Sequence, residues 1–164
     1  MSVVTDILRT YRAPRDVQAR RTTGAPREDR ALACLMAGCA LIFLAQWPRL
    51  AREAALDPSI TLEARLAGAL FAWLMVMPLA FYALALGLAL VLRAFRQPVT
   101  GYGCRTALFW ALLASTPVWL VSGLIAGFAP GPLFGVVSAV ALGLFVVFTG
   151  AGVLAMTQRH EGVT

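Results

Sequence analysis

The longest uncharged stretch of this sequence constrains its fold more than any other feature. Between Arg105 and Arg159 lie 53 consecutive residues without an Asp, Glu, Lys, Arg or His. A transmembrane helix needs about 20 predominantly apolar residues, so this stretch is long enough to cross a bilayer twice. The segment 127–132 (GFAPGP) divides it near the middle and is typical of a turn. The sequence therefore predicts a polytopic membrane protein.

Composition agrees with one small membrane domain, since 60% of the 164 residues are hydrophobic and 13% are charged. Two more uncharged blocks, 31–48 and 66–92, precede the long stretch, which itself divides into 106–128 and 133–157. We therefore predict an all-α fold of four transmembrane helices, with a basic segment at 1–30 and a short tail at 158–164. Whether a fifth membrane-embedded segment exists stays open.

The arginines predict the orientation in the membrane. All 14 Lys and Arg residues are Arg, and 11 of them fall in the N-terminal segment, the loop 93–105 and the tail. The positive-inside rule then places both termini in the cytoplasm of a bacterial inner membrane. Anionic lipid headgroups on that side account for the net charge of +6 better than nucleic acid does. Arg93, Arg96 and Arg105 form the predicted cytoplasmic basic surface.

Residues 2–11 are predicted to form a short amphipathic helix in the headgroup layer, either as a lipid-surface anchor or as a docking surface for a cytoplasmic partner. Pro14 either ends this helix or opens a second one that runs through Arg21. On the other side of the membrane, residues 49–56 (RLAREAAL) are predicted to form a separate surface helix with Leu50 and Leu56 turned toward lipid. The apolar face of the N-terminal helix consists of Val3, Val4, Ile7, Leu8 and Tyr11.

No titratable acid, base or histidine lies within the predicted spans, which argues against proton transport, ion pumping and intramembrane proteolysis. The single histidine, His160, lies in the tail and cannot complete a catalytic triad by itself. Cys34, Cys39 and Cys104 lack paired spacing and are interpreted as small apolar residues. We therefore expect no enzymatic activity and no catalytic, cofactor-binding or metal-binding residue.

Two prolines lie near the midpoints of predicted spans, Pro78 in the second and Pro117 in the third. Each removes a helical hydrogen bond and strands the carbonyl four residues back. Ser115 and Thr116 directly precede Pro117, and neighbouring hydroxyls can bond to such carbonyls. The prolines indicate either simple kinks or the broken helices of a transporter site.

Small residues recur at a spacing of four, which lets helix backbones approach closely in lipid. These pairs could pack spans within one chain, or bind a membrane-protein partner or a second copy. They are Gly123 with Gly127, Ala83 with Gly87, and Ala139 with Gly143.

Three stretches resemble the bacterial branch of the Yip family: 8–15 (LRTYRAPR), 46–54 (QWPRLAREA) and above all 102–117 (YGCRTALFWALLASTP). These are small multi-span proteins related to the eukaryotic Rab/Ypt-interacting membrane proteins, and the resemblance extends over residues 5–148. It implies a helical membrane bundle with a cytoplasmic N-terminus and no catalytic residues. The family usually shows five spans, against four counted here, and residues 22–26 are more polar than is usual in it. The eukaryotic role in vesicle traffic does not carry over.

The leading functional hypothesis is a non-enzymatic scaffold or accessory subunit that acts through helix packing and a basic cytoplasmic face. The alternative is a permease or channel-like subunit for a small neutral solute, built around Pro78, Ser115, Thr116 and Pro117. A membrane enzyme comes third, because only the loop 93–105 could supply a charged constellation.

Overall fold

The computed structural model describes residues 3–21, 27–97, 99–129 and 131–161, with side chains described as far as Gln158. The described residues form helices joined by short connections. In chain order the helices are α1 (Val3–Thr10), α2 (Pro14–Arg21), α3 (Glu28–Leu56), α4 (Leu62–Phe71), a π-helical segment (Ala72–Val76), α5 (Met77–Ala94), α6 (Gly101–Phe128) and α7 (Pro132–Glu161).

The prediction of four membrane-spanning helices is confirmed. Four helical stretches of the described chain are long and apolar enough to span a bilayer: α3, the continuous run 62–94, α6 and α7. Hydroxyl side chains fix two of their starts, because Thr61 accepts a hydrogen bond from the backbone N–H of Ala64 and Thr100 accepts one from Gly103. The observed helices are longer than the predicted spans, and α7 continues to Glu161 instead of ending at 157. Residues 162–164 of the predicted tail lie outside the described residues.

The predicted surface helix at 49–56 is wrong as a separate element. Helix α3 passes through Pro48 without interruption and ends at Leu56. Proline costs a helix one backbone hydrogen bond. Arg49 and Glu53, one turn apart, form an ion pair at 2.8 Å that supports the continuation of the helix past Pro48. Leu50 is buried, not turned toward lipid. The burial of Leu50 is the physical reason for the continuous helix, because a break at Pro48 would withdraw this side chain from the bundle.

Inter-helix contacts fix an up-down-up-down arrangement. Helices α3 and α6 run parallel, since Glu28 pairs with Arg105 near their starts and Ala45 meets Gly123 farther along both. Helix α7 runs antiparallel to α6, with Ser138 bonded to Ser122. One end of the bundle therefore holds the start of α3, the end of α5, the start of α6 and the end of α7, and we call it the arginine-rich end. The other end, with residues 57–61, Ala129 and Gly131, is called the opposite end.

Helix α6 is the centre of the bundle. In its apolar window 56% of residues are buried inside the protein, against 33% for α3, 17% for the run 62–94 and 11% for α7. Its buried residues face three sides, and Phe109, Trp110, Ala111 and Ala114 are all at most 1% exposed. The remaining helices pack around it, so α7 and the second span leave most of their apolar side chains on the outside of the bundle.

Candidate functional site

The Gly123–Gly127 pair packs α6 against α3 within one chain. A Cβ atom built on Gly123 would overlap the carbonyl oxygen of Ala45 and lie 2.6 Å from its carbonyl carbon. A Cβ built on Gly127 would lie 2.9 Å from the backbone carbon of Pro48. Only glycine allows the two backbones to come this close.

The other two small-residue pairs face outward. Ala83, Gly87, Ala139 and Gly143 are exposed on the bundle surface. Among the described residues, no atom outside the local helix lies within 4 Å of a Cβ built on Gly87 or Gly143. These pairs therefore pack nothing within the chain and are open to lipid or to another helix.

The hydroxyl groups that precede Pro117 form hydrogen bonds to carbonyls of their own helix. Thr116 donates a hydrogen bond of 2.7 Å to the carbonyl of Leu113, the carbonyl that Pro117 strands. Ser115 donates one of 2.8 Å to Leu112. Both hydroxyl side chains are buried, whereas Pro117 is exposed. Ser115 and Thr116 thus repair the helix, and their hydroxyls are not directed at a solute path.

Pro78 is buried and follows a local change in helix type. Directly before it, the π-helical segment Ala72–Val76 widens the turn, and the N–H of Met77 bonds to the carbonyl of Ala72 five residues back. Such π segments reorganise backbone bonding around an irregularity in a helix. The two prolines do not share a pocket, since Pro117 faces outward and Pro78 inward.

An apolar cavity of about 310 Å³ lies between the spans, toward the opposite end. Its walls come from α3, the π segment, α5, α6 and α7, and include Trp73, Phe81, Trp119 and Phe145. Ser122 is among its few polar lining residues and is hydrogen-bonded to Ser138 at 2.7 Å. The cavity is near the lower limit for a small-molecule site, and Ser115, Thr116 and both prolines lie outside its lining.

The three predicted basic residues lie at the arginine-rich end but do not form one cluster of free charges. Arg105 is paired with Glu28 at the start of α3. Arg93 is exposed in the last turn of α5. Arg96 lies in the following turn with a backbone φ of 58°, in the left-handed region. The turn residue Pro98 lies outside the described residues.

The amphipathic helix predicted over residues 2–11 is present as α1, and of the two alternatives for Pro14 the second is found, because α2 begins there. The sequence did not predict that these two helices pack against the spans. Pro14 opens the second helix, and the two helices fold back on each other so that Arg21 and Asp6 form an ion pair at 2.9 Å. We call α1, the turn 11–13 and α2 the N-terminal hairpin. It packs into the groove between α6 and α7, where Val17 and Gln18 are buried. The apolar residues Val4 and Leu8 of α1 remain exposed.

Side chains of the N-terminal hairpin bond directly to α6. The indole N–H of Trp110 donates to the hydroxyl of Thr10 at 3.1 Å, and the guanidinium carbon of Arg21 lies 3.4 Å from the centroid of the Trp110 ring. Gln18 donates to the carbonyl of Ala107 at 3.2 Å, and Tyr11 to that of Ala114 at 3.0 Å. Ala114 is nine residues past Arg105, or about 14 Å along the helix.

The N-terminal hairpin is therefore a membrane-flanking element packed on the spans, and not only a helix lying on the lipid surface. The sequence left open whether a fifth membrane-embedded segment exists. Only Pro14, at the start of α2, indicated a second helix before the first span.

Comparisons with models of protein families, with curated proteins and with solved structures found no match.

Proposed function

We propose that this protein is a non-enzymatic membrane protein that serves as a scaffold or accessory subunit, and that it binds a partner helix along the outside of α7. The observation that carries the proposal is a line of small residues on the most exposed span. Gly135, Ala139, Gly143 and Gly150 are all exposed on α7, and we call them the outer strip.

Lipid gives no reason to prefer small side chains at these positions. Helices in a bilayer associate through close backbone packing, because lipid tails are as apolar as leucine and little is gained from hydrophobic contact alone. In α6 the same spacing already holds two backbones together at Gly123 and Gly127. The outer strip offers this kind of groove with nothing from the described residues within 4 Å of Cβ atoms built on its three glycines.

The surrounding charge pattern supports a binding role over a chemical one. The spans carry no titratable acid, base or histidine between residues 106 and 158, so proton transfer or acid–base chemistry at membrane depth has no group to perform it there. The proposed role needs only shape and packing on the outer face of α7.

Purification in mild detergent, followed by mass determination with light scattering, tests the proposal. The native chain is expected to appear as a defined complex with a second copy or another membrane protein, and Gly143→Leu should shift it toward the monomer. Gly68→Leu is the matched control, because Gly68 is also exposed and no described atom outside its own helix lies within 4 Å of a Cβ built on it, but it lies on α4. A native chain that is purely monomeric, or a complex that Gly143→Leu leaves intact, contradicts the proposal.

We further propose that the arginine-rich end faces the cytoplasm of a bacterial inner membrane, with both termini there. The arginine count supports this orientation. Single cysteines introduced at Ser59 and Gln97 test it, since an impermeant reagent added outside intact cells should label position 59 and not position 97. Labelling of position 97 alone would show the opposite orientation and would contradict this proposal. Membership of the Yip family stays a prediction from the resemblance.

The alternative proposal is a permease or channel-like subunit for a small neutral solute, and the apolar cavity near Trp73 and Trp119 is the place that supports it. The predicted residues Ser115 and Thr116 do not line this cavity. Flux of small neutral solutes into vesicles should then fall when Ser122 is enlarged to Phe. Full flux in the double variant Pro78→Ala with Pro117→Ala would remove the prolines from such a mechanism.

A further inference from the structure

A second, larger cavity lies at the arginine-rich end, between the N-terminal hairpin and the first turns of α3 and α6. Its volume is about 840 Å³, and we call it the arginine cavity. Four of its lining residues are arginines and one is an acid. These five charged residues are Arg20, Arg21, Arg27, Arg30 and Asp6.

The positive charge of the arginine cavity is only partly neutralised. Asp6 is paired with Arg21. Within the described part of the chain, Arg20, Arg27 and Arg30 form no ion pair with a carboxylate. Three guanidinium groups, one from α2, one from the residue before α3 and one from the first turn of α3, therefore line one cavity without an ion-pair partner among the described residues. Like charges held near each other in this way repel, and an anion between them relieves the repulsion.

Helix α6 contributes Thr106 to the wall of the arginine cavity, and this residue is 8% exposed. Its Oγ1 atom is enclosed by the fold, with less than 1 Å² of accessible surface, so the hydroxyl is not open to the cavity. Tyr102, one turn before Thr106 on α6, also lines the cavity.

The arginine at the back of the cavity is held in place by its neighbours. The guanidinium of Arg21 stacks on the ring of Trp110, bonds to Asp6 and lies 4.0 Å from the sulfur of Cys34. Arg21 is thus held by partners within the fold, which leaves Arg20, Arg27 and Arg30 as the arginines available to a ligand.

The deeper walls of the cavity are apolar. They include Val17, Ala31, Phe109 and Trp110. A cavity with cationic groups and an apolar base fits a ligand with a phosphate group attached to a carbon skeleton. Several arginines suit phosphate because its oxygens accept many charge-assisted hydrogen bonds. Basic pockets between helices at the cytoplasmic side are known to hold anionic lipid headgroups.

We propose that the arginine cavity binds the phosphate group of an anionic phospholipid headgroup or of a soluble phosphoester, with Arg20, Arg27 and Arg30 as the cationic contacts. This inference goes beyond the proposed scaffold function and does not depend on the outer strip.

The test uses the full chain in nanodiscs, with two probes that separate the sources. One series compares bilayers of phosphatidylcholine with and without 20 mol% phosphatidylglycerol, a composition chosen as roughly that of an anionic membrane. The other titrates inorganic phosphate into the phosphatidylcholine nanodiscs. Binding is followed by tryptophan fluorescence, since Trp110 lines the cavity, and by native mass spectrometry of retained lipid.

Two double variants with the same loss of charge decide whether the site is specific. Arg27→Gln with Arg30→Gln removes two cavity arginines, both exposed and therefore dispensable for packing. Arg93→Gln with Arg96→Gln removes two arginines from the same end of the bundle but outside the cavity. The first pair should reduce binding about tenfold and the second less than about twofold.

Selective retention of phosphatidylglycerol identifies a lipid source, and saturation by inorganic phosphate alone identifies a soluble one. Either result supports the proposal when the cavity variants lose binding and the control pair keeps it. Equal loss in both double variants means general attraction to an anionic surface, and it overturns the proposal. Binding of neither probe to the native chain also overturns it. Failure of the outer-strip test leaves these outcomes unaffected.

Discussion

At the scale of single residues, Gly123 is the position where two spans come into backbone contact. Replacing it with alanine would place a methyl group on the backbone of Ala45, so α3 and α6 must move apart. Gly123→Ala should lower the free energy of unfolding by about 1–3 kcal/mol, as overpacking usually does. Thermal or denaturant unfolding in detergent micelles measures this change.

Gly68→Ala is the matched control for that substitution. No atom of the described residues outside its own helix lies within 4 Å of a Cβ built on Gly68. Alanine is a better helix former than glycine, so this variant should be as stable as the native chain or more stable by up to about 1 kcal/mol. Equal destabilisation by both substitutions would contradict the packing account of Gly123.

Thr116 and Pro117 provide a second prediction at this scale. Thr116→Val keeps the shape but removes the hydroxyl that bonds to the stranded carbonyl of Leu113. It should cost about 1–3 kcal/mol, since a buried carbonyl loses its partner. In a Pro117→Ala background the backbone N–H returns, and the same substitution should cost much less. A double-mutant cycle measures the difference, and equal costs in both backgrounds would show that the hydroxyl does not compensate for the proline.

Residue chemistry of this local kind was predictable from sequence. The bond between Thr116 and Leu113 follows from the position of a hydroxyl directly before a mid-span proline, because both groups lie on one helix. The contact of Trp110 with Thr10 was not predictable, since the two residues are 100 positions apart and neither belongs to a motif. Helix geometry determines the first contact, whereas the second depends on where a separate element packs.

At the scale of elements, the N-terminal hairpin depends on one buried hydroxyl. Thr10→Val would leave the indole N–H of Trp110 without its acceptor in a site that is at most 1% exposed. The hairpin should then open more often, and trypsin should cleave after Arg9, Arg12 or Arg15 about tenfold faster, the effect of about 1.4 kcal/mol. Limited proteolysis with mass spectrometry follows these cleavages.

Thr5→Val is the matched control, because Thr5 lies on the same helix but is exposed. Its digestion should proceed at the native rate. If Thr10→Val and the native chain are cleaved equally fast at these arginines, the N-terminal hairpin is not held on α6 by this bond.

Two segments of the chain differ from what local composition indicates, and the physical reason is the same in both. The hydropathy of 31–48 predicted a span that ends at Pro48, yet α3 continues to Leu56 because Leu50 packs into the bundle. The polar helix α2 carries four charged residues among eight, yet it buries Val17 and Gln18 against α6 and α7. In both segments tertiary packing decides the structure, and local composition does not report it.

At the scale of the whole molecule, the four spans differ in the fraction of their residues that is buried in the bundle. Helix α6 is surrounded by its neighbours, and α7 leaves most of its apolar residues on the outside. Hydropathy predicted the number of spans well because each must be apolar throughout, whichever way its faces point. Hydropathy could not distinguish the central helix α6 from the peripheral helix α7, because both are apolar on all faces.

Photo-crosslinking in native membranes tests the central claim, that the outside of α7 is an assembly surface. A benzophenone amino acid placed at Val136, Val140 or Val147 lies beside the outer strip, and one at Leu44 lies on the exposed face of α3. We expect a protein adduct of defined mass from the α7 positions and none from position 44. Adducts with lipid alone at all three α7 positions would contradict it.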